Sequence, residues 1–267
     1  KGFGMPAVAI TDHGSMFGAI EFYQKCLDKG VKPLIGAEVY VAPGSRFTKE
    51  HGSGSGEHSS YHLILLCQNM KGNKNLSTLV SAGFKEGFYY KPRIDKELLA
   101  EHSEGLIVLS ACLKGEVASL CGRNRMEDAV AAARWYRDLF QDRYYIELQE
   151  NALPEQTVAN QRLMEVATEL SLPLVATNDC HYLNREDARA HEVLLCIQTG
   201  KTMNDEHRMR FSADEFYVKS AEEMAAAFHY APEAVANTVR IADCCSLELD
   251  FKTYHFPRFE LPEGKSL

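Results

Sequence analysis

The chain has 267 residues, of which 45% are hydrophobic and 25% are charged, a length that suits one large domain with a substantial core. Its formal net charge of -8 excludes a broad surface that neutralises nucleic-acid phosphates, so any contact with DNA has to be local. The eight cysteines show no Cys-x-x-Cys spacing and no apolar run approaches the roughly 18 residues of a membrane helix, so we expect a cytoplasmic protein without a membrane partner.

The predicted elements alternate between short runs rich in Val, Ile and Leu and longer segments of helical periodicity, a pattern typical of βα units. The predicted strands are residues 7–11, 34–41, 62–68, 105–111, 144–149, 172–177 and 215–219. The main predicted helices are residues 15–29, 126–140, 154–170, 221–228 and 232–245, and the Gly/Ser-rich loop 43–60 is expected to be mobile. The pattern predicts an α/β fold, either an open doubly wound sheet or a βα barrel.

Candidate metal ligands follow three of the predicted strands. Asp12 and His13 come after the first strand, Cys112 after the fourth, and Asp179 with His181 after the sixth. In a βα barrel the carboxyl ends of the strands converge on one rim, so these distant residues would meet there. Each residue alone also fits a turn, a helix cap or a small buried side chain. Their repetition at strand ends favours the barrel and a metal site.

Two further candidates, Glu38 and His62, lie inside a strand and at the start of one, so the pattern alone does not bring them to the rim. Imidazole, carboxylate and thiolate together suit zinc, iron or manganese. Clusters of such ions activate water and neutralise phosphate oxygens, which is the usual chemistry of phosphoester hydrolysis.

Five ordered motifs are similar to those of the PHP (polymerase and histidinol phosphatase) family. They are Thr11-Asp12-His13-Gly14, Gly36-Ala37-Glu38, Tyr61-His62-Leu63, Ser110-Ala111-Cys112 and Asn178-Asp179-Cys180-His181. Three further stretches resemble the form of this domain in bacterial DNA polymerase III alpha subunits rather than the small phosphatases: residues 88–95, 197–202 and 254–257. The resemblance covers essentially the whole chain.

The resemblance implies a distorted, seven-stranded, TIM-like βα barrel that holds up to three divalent ions, whether zinc, manganese or iron. The metal ligands it implies are His13, Glu38, His62, Cys112, Asp179 and His181. We expect the catalytic residues to be Asp179, His181 and Arg93. The family's first motif, with the first strand and three more ligands, would precede the start of this chain. We therefore expect an N-terminally truncated domain over residues 1–246, fewer bound metals and impaired hydrolysis. Residues 247–267 would be a linker toward an absent palm domain.

By the same resemblance, the function is that of an N-terminal domain of a replicative DNA-directed DNA polymerase, with a metal-dependent phosphoesterase site and no polymerase active site. The site would act as a 3'-5' exonuclease for proofreading on the DNA primer 3' end. The partners implied are DNA and other polymerase III holoenzyme subunits, including a proofreading subunit. The alternatives are a free-standing phosphatase of the histidinol phosphatase type and a structural module that docks the proofreading subunit.

Two residues near the predicted rim each have two possible roles. Arg93 either meets a phosphate through its planar guanidinium or anchors a loop. Glu147 ends a strand and either supports the site from behind the ligands or faces solvent. The remaining histidines, including His191, have no ligand-like spacing and are expected at the surface or on helices.

Overall fold

The computed structural model describes residues 1–49, 60–254 and 256. Two predicted segments lie partly outside the described residues: the mobile loop 43–60, from residue 50 to residue 59, and the linker 247–267, at residue 255 and from residue 257 onward. Within the described part of the chain, no helix is both long enough and apolar enough to cross a membrane.

One curled sheet organises the described residues. Its strands are β1 (Ala7–Ile10), β2 (Lys32–Val41), β3 (Tyr61–Cys67), β4 (Arg93–Ile94), β5 (Leu106–Leu109), β6 (Tyr144–Gln149) and β7 (Leu174–Thr177). The order across the sheet is β1-β2-β3-β5-β6-β7. The short strand β4 pairs with Tyr40 and Val41 of β2, on the edge opposite β3 and past the residues that pair with β1. The sheet forms a curled half-barrel, which confirms the expected distorted barrel and excludes the open doubly wound alternative.

Strand direction matters for the site because β3 runs against both of its neighbours. β2 pairs with β3 and β3 pairs with β5 in antiparallel fashion, whereas β1 with β2, β5 with β6, and β6 with β7 are parallel. A parallel neighbour requires a long crossover connection, and residues 42–60 contain no predicted helix to provide one. The first residues of β3 therefore lie at the rim where the other strands end.

The helices surround the sheet. They are α1 (Ala19–Asp28), α2 (Met70–Lys85), α3 (Lys96–Glu101), α4 (Glu116–Gly122), α5 (Met126–Phe140), α6 (Pro154–Leu170), α7 (Ala188–Thr199), α8 (Ala221–Ala227) and α9 (Pro232–Cys244). Local chemistry explains several boundaries: Asn69 accepts a hydrogen bond from the Gly72 amide at the start of α2, and Pro154 begins α6. The helix predicted from residue 15 begins instead at Ala19, after a turn.

The core lies on both faces of the sheet. Every residue of β3 and β5 is buried, as expected for strands covered on both sides. The larger core cluster contains Leu65, Val108, Ile146 and Phe140, while a smaller one joins Ile241 of α9 to the opposite face. This packing fixes the strand ends that carry the candidate ligands.

The predicted strand 215–219 is wrong. In the described residues this segment makes one isolated bridge, between Tyr182 and Tyr217, and no strand. Asn178 donates to the carbonyl oxygens of Glu215 and Tyr217, both at 2.7 Å, and Lys219 donates to Glu215 as well. The Phe216 carbonyl instead accepts from the His181 amide at 2.8 Å. The alternating pattern thus reflects a partly buried segment held by both side-chain and backbone hydrogen bonds. The two-residue strand β4 was not predicted.

Candidate metal centre

Three strands bring the first group of ligands together. The Gly14 amide donates to the Glu38 carbonyl at 2.8 Å, and the Glu38 amide donates to the Asp12 carbonyl at 3.1 Å, so the chain after β1 continues to pair with β2. In the β2–β3 register Glu38 stands opposite Ile64, which makes His62 its diagonal neighbour on the same face. His13, Glu38 and His62 therefore project into one space from β1's end, β2 and β3.

The side chains of these three residues converge on one oxygen. His13 Nδ1 lies 2.8 Å from Glu38 Oε1, and His62 Nδ1 contacts the same oxygen atom. One ligand atom from each of the three residues lies within 4.8 Å of the other two. Glu38 Oε1 is buried and has no partner with hydrogen-bond geometry among the described residues. Two imidazole nitrogens and a carboxylate oxygen that approach one another without hydrogen-bond geometry could share a cation. A set of two imidazoles and one carboxylate suits zinc, iron or manganese.

The electrostatics favour a charged Glu38. Burial by itself would raise the pKa of Glu38, but the contacts with His13 and His62 lower it to about 2. The same contact with Glu38 raises the pKa of His13, against the opposing effect of burial. The carboxylate is therefore anionic at neutral pH, which is the form that binds a cation.

Cys112 lies beside this group. Its Sγ is 3.6 Å from His62 Nδ1, and the His62 amide donates to the Lys114 carbonyl at 3.0 Å, which joins the loop after β5 to the start of β3. Burial raises the pKa of the Cys112 thiol well above its ordinary value, and the charges of Asp179 and Glu38 raise it further. Any ion that uses this sulfur has to displace its proton.

Asp179 and His181 follow β7 and approach from the other side. The His13 and His181 ring centroids are 6.0 Å apart. Asp179 has a φ of 49°, so the segment is not extended, and the same-side projection that an extended chain would give does not apply. His181 Nδ1 lies 2.6 Å from the Asp179 carbonyl oxygen and 3.9 Å from its carboxylate Oδ1. Burial raises the pKa of Asp179, with His181 opposing the effect.

The structure thus brings all six sequence-predicted ligands to one rim, with three of them in close mutual contact. The strand pattern left the rim position of two of them open. His62 lies at the rim because β3 runs in the reversed direction, and Glu38 lies there because it pairs with the residues that directly follow β1. The other three ligands, Cys112, Asp179 and His181, lie around this close group.

Arg93 has a different environment from the one its predicted catalytic role requires. Its guanidinium is buried and donates to the carbonyl oxygens of Gly87 at 3.1 Å, Arg46 at 3.2 Å and Thr48 at 2.8 Å. It also lies over the Tyr89 ring. These contacts match the loop-anchoring alternative. The predicted catalytic role of Arg93 is wrong, because its guanidinium is buried against backbone carbonyl groups.

Glu147 is buried, so its solvent-facing alternative is wrong. Its Oε2 accepts a hydrogen bond from the Ala111 amide at 3.0 Å, and its Oε1 accepts from Gln149 at 3.0 Å and from the Thr177 hydroxyl. Burial raises the pKa of Glu147 to about 7. The carboxyl group ties the ends of β5 and β7 together directly behind the segments that carry Cys112 and Asp179.

Two aromatic neighbours of the centre were not found from the sequence. The His191 ring lies 5.4 Å from the His181 ring, and Phe211 lies 5.0 Å from both rings. His191 is on α7 and Phe211 is in an irregular segment, so neither has a spacing relative to His181 that marks it. Only the folded chain brings them together.

Comparison with known proteins agrees with this geometry. The PHP domain model matches residues 1–151. DNA polymerase III subunit alpha of Thermus aquaticus is 48% identical over 98% of this chain, that of Treponema pallidum is 47% identical over 98%, and that of Deinococcus radiodurans is 46% identical over 98%. This chain covers 22%, 22% and 20% of those three proteins, so it spans about a fifth of their length.

Proposed function

We propose that this chain, which belongs to the PHP domain family, is the PHP domain of a bacterial DNA polymerase III alpha subunit and acts in DNA replication. We further propose that its rim is a metal-dependent phosphodiesterase site acting on DNA 3' ends. The observation that carries this second proposal is the convergence of His13 and His62 on a single buried oxygen of Glu38. The proposed setting is the cytoplasm, with the other holoenzyme subunits as partners.

A divalent cation in this site would supply positive charge that lowers the pKa of a water molecule and offsets the charge of a phosphate. His13, Glu38 and His62 would hold it, with Cys112 as a fourth donor after loss of its proton. The chain's own groups support hydrolysis in two further ways. Asp179, whose pKa is raised by burial, is placed to accept a proton. His181 directs Nδ1 to the Asp179 carbonyl, which leaves Nε2 for a phosphate oxygen.

Metal content tests the site itself. We expect Glu38→Gln to lose most of the bound transition metal measured by mass spectrometry of the desalted protein, because the amide carries no charge and one fewer donor oxygen. Glu169→Gln on the exposed end of α6 is the matched control and should retain the wild-type metal content. Equal metal in wild type and Glu38→Gln would contradict the proposed centre.

Hydrolysis is best tested in a full-length alpha subunit that carries this sequence. We expect release of 3'-terminal nucleotides from single-stranded DNA to fall at least about hundredfold in His181→Ala, as is usual for loss of a charge-stabilising group. Metal content should change little, since His181 lies outside the close group of three. Loss of metal and of thermal stability without loss of hydrolysis would instead support a structural module.

A further inference from the structure

A cleft opens directly beside the candidate metal centre. It has a volume of about 510 Å³ and lies between α7 and the segment around residues 211–214. Its lining includes Tyr182, His191, Phe211 and Arg189. Volumes of this size are typical of small-ligand sites. The ring of His191, which lines the cleft, lies 5.4 Å from the ring of His181, so the cleft adjoins the metal centre.

Aromatic rings form the wall nearest the centre. The His181 ring meets the Phe211 ring edge-on at 5.0 Å, and His191 lies 5.0 Å from Phe211 and 5.5 Å from Tyr182. Phe216, which is fully packed behind them, holds Phe211 at 4.5 Å. Phe211 itself is half-buried, so part of it remains accessible to a ligand. A supported, partly accessible ring is the arrangement on which nucleic-acid bases stack.

The charges of the cleft complement a nucleotide. Both acidic residues of the lining have a basic partner: Glu192 pairs with Arg208 at 2.8 Å and Asp214 with Arg185 at 3.6 Å. Arg189 is exposed and pairs with no carboxylate among the residues that the structure describes. Its planar guanidinium is therefore available for a phosphate oxygen at the mouth of the cleft.

We propose that this cleft is a base-binding subsite, which receives the base of the 3'-terminal nucleotide of single-stranded DNA against Phe211 while Arg189 contacts a backbone phosphate. This inference rests on the proposed phosphodiesterase function and deepens it by naming how the substrate is held. Stacking is tolerant of sequence, so the subsite accepts any of the four bases. Contact at a single terminal nucleotide is also consistent with the acidic net charge of the chain, which rules out a long electrostatic track.

Binding, rather than hydrolysis, gives the decisive test. A short fluorescent oligodeoxythymidylate is compared with the same oligonucleotide whose 3'-terminal nucleotide is abasic, by anisotropy in the presence of a chelator. We expect the wild-type chain to bind the base-bearing probe about tenfold more tightly, in the range of one stacked base. Phe211→Ala should remove that difference, and Phe211→Tyr should restore it. Phe3→Ala, which changes an exposed ring before β1, at the end of that strand opposite the rim, is the matched control and should preserve it.

A second variant gives a different signature and does not depend on the packing of Phe211. Arg189→Ala is at the surface and should weaken both probes to the same extent, so that their ratio stays as in the wild type. Equal affinity of the wild-type chain for the two probes, or an unchanged ratio in a folded Phe211→Ala, would overturn the subsite. Neither result would bear on hydrolysis in the full-length protein, so the two proposals fail separately.

Discussion

Glu147 provides the sharpest test of how the strand ends are held. Its carboxyl group is buried and accepts hydrogen bonds from the Ala111 amide, Gln149 and Thr177. Burial raises the pKa of this group from its ordinary value of 4.5 to about 7. A carboxyl group with a raised pKa stabilises the fold fully below the unfolded-state value, and this stabilisation is lost as the pH rises through the folded-state value.

The size of the effect follows from the two pKa values. They differ by about 2.5 pH units, and each unit corresponds to about 1.4 kcal/mol, so about 3 kcal/mol of stability disappears between about pH 4.5 and about pH 7. Glu147→Gln cannot titrate and lacks this dependence. At low pH we expect it to be less stable than wild type by about 1–3 kcal/mol, because one of the three buried donors then meets an amide NH₂.

The assay is urea unfolding of both proteins, followed by circular dichroism at several pH values with a chelator present, since a nearby cation would favour the carboxylate. The difference in unfolding free energy between Glu147→Gln and wild type should shift in favour of the variant by about 3 kcal/mol from about pH 5 to about pH 8. Glu155→Gln on the exposed start of α6 is the control and should show no such shift. A difference that stays constant across this range would refute the reasoning.

Three further substitutions probe other parts of the fold. Arg93→Ala should lower the unfolding free energy by about 2–4 kcal/mol in urea titrations, because several buried carbonyl groups lose their donor. Metal content should stay unchanged. Loss of metal with full stability would instead support a role of Arg93 in the metal centre. Gly72→Ala should cost about 1–3 kcal/mol, since its Cβ would overlap the Gly105 carbonyl oxygen, whereas Gly122→Ala, where a Cβ meets nothing, should be neutral or stabilising. Lys219→Met should lower the melting temperature by several degrees, because three carbonyl or amide oxygens lose a buried donor; an unchanged melting temperature would contradict this.

Much of the sheet was predictable because its strands appear as continuous apolar runs, and the central strands β3 and β5 are buried on both faces. The six longer strands and the bounds of α5 and α6 agree with the apolar pattern, and the metal ligands that follow β1, β5 and β7 could be found from their position after a strand. Resemblance to the PHP family identified the further candidates Glu38 and His62 as ligands. Pattern alone could not place them at the rim, because Glu38 lies inside its strand and periodicity does not reveal that β3, which carries His62, runs in the opposite direction. The absence of a predicted helix between β2 and β3 was the available signal for an antiparallel pair.

The errors have a common cause in side chains that substitute for secondary structure. The segment from Glu215 to Lys219 alternates like a strand, but side chains bind its Glu215 and Tyr217 carbonyl groups, and its backbone bonds to the chain after β7 make only an isolated bridge. Arg93 next to an aromatic stretch suggested a phosphate contact, yet its donors are used by backbone carbonyls. Long-range contacts of this kind leave no trace in local periodicity, and the same holds for the approach of His191 to His181.

The spread of the ligands along the chain has a consequence for how the protein is made. His13 and Glu38 are available early in synthesis, but Cys112 and the pair Asp179 and His181 come from the ends of strands formed much later. Contacts between residues this far apart in sequence form slowly, because long loops have to close first. The full ligand set therefore assembles only after β7 has emerged from the ribosome and joined the sheet. The half of the centre that Cys112, Asp179 and His181 supply would then form late in biogenesis, and the complete centre would mark chains whose sheet has formed up to β7.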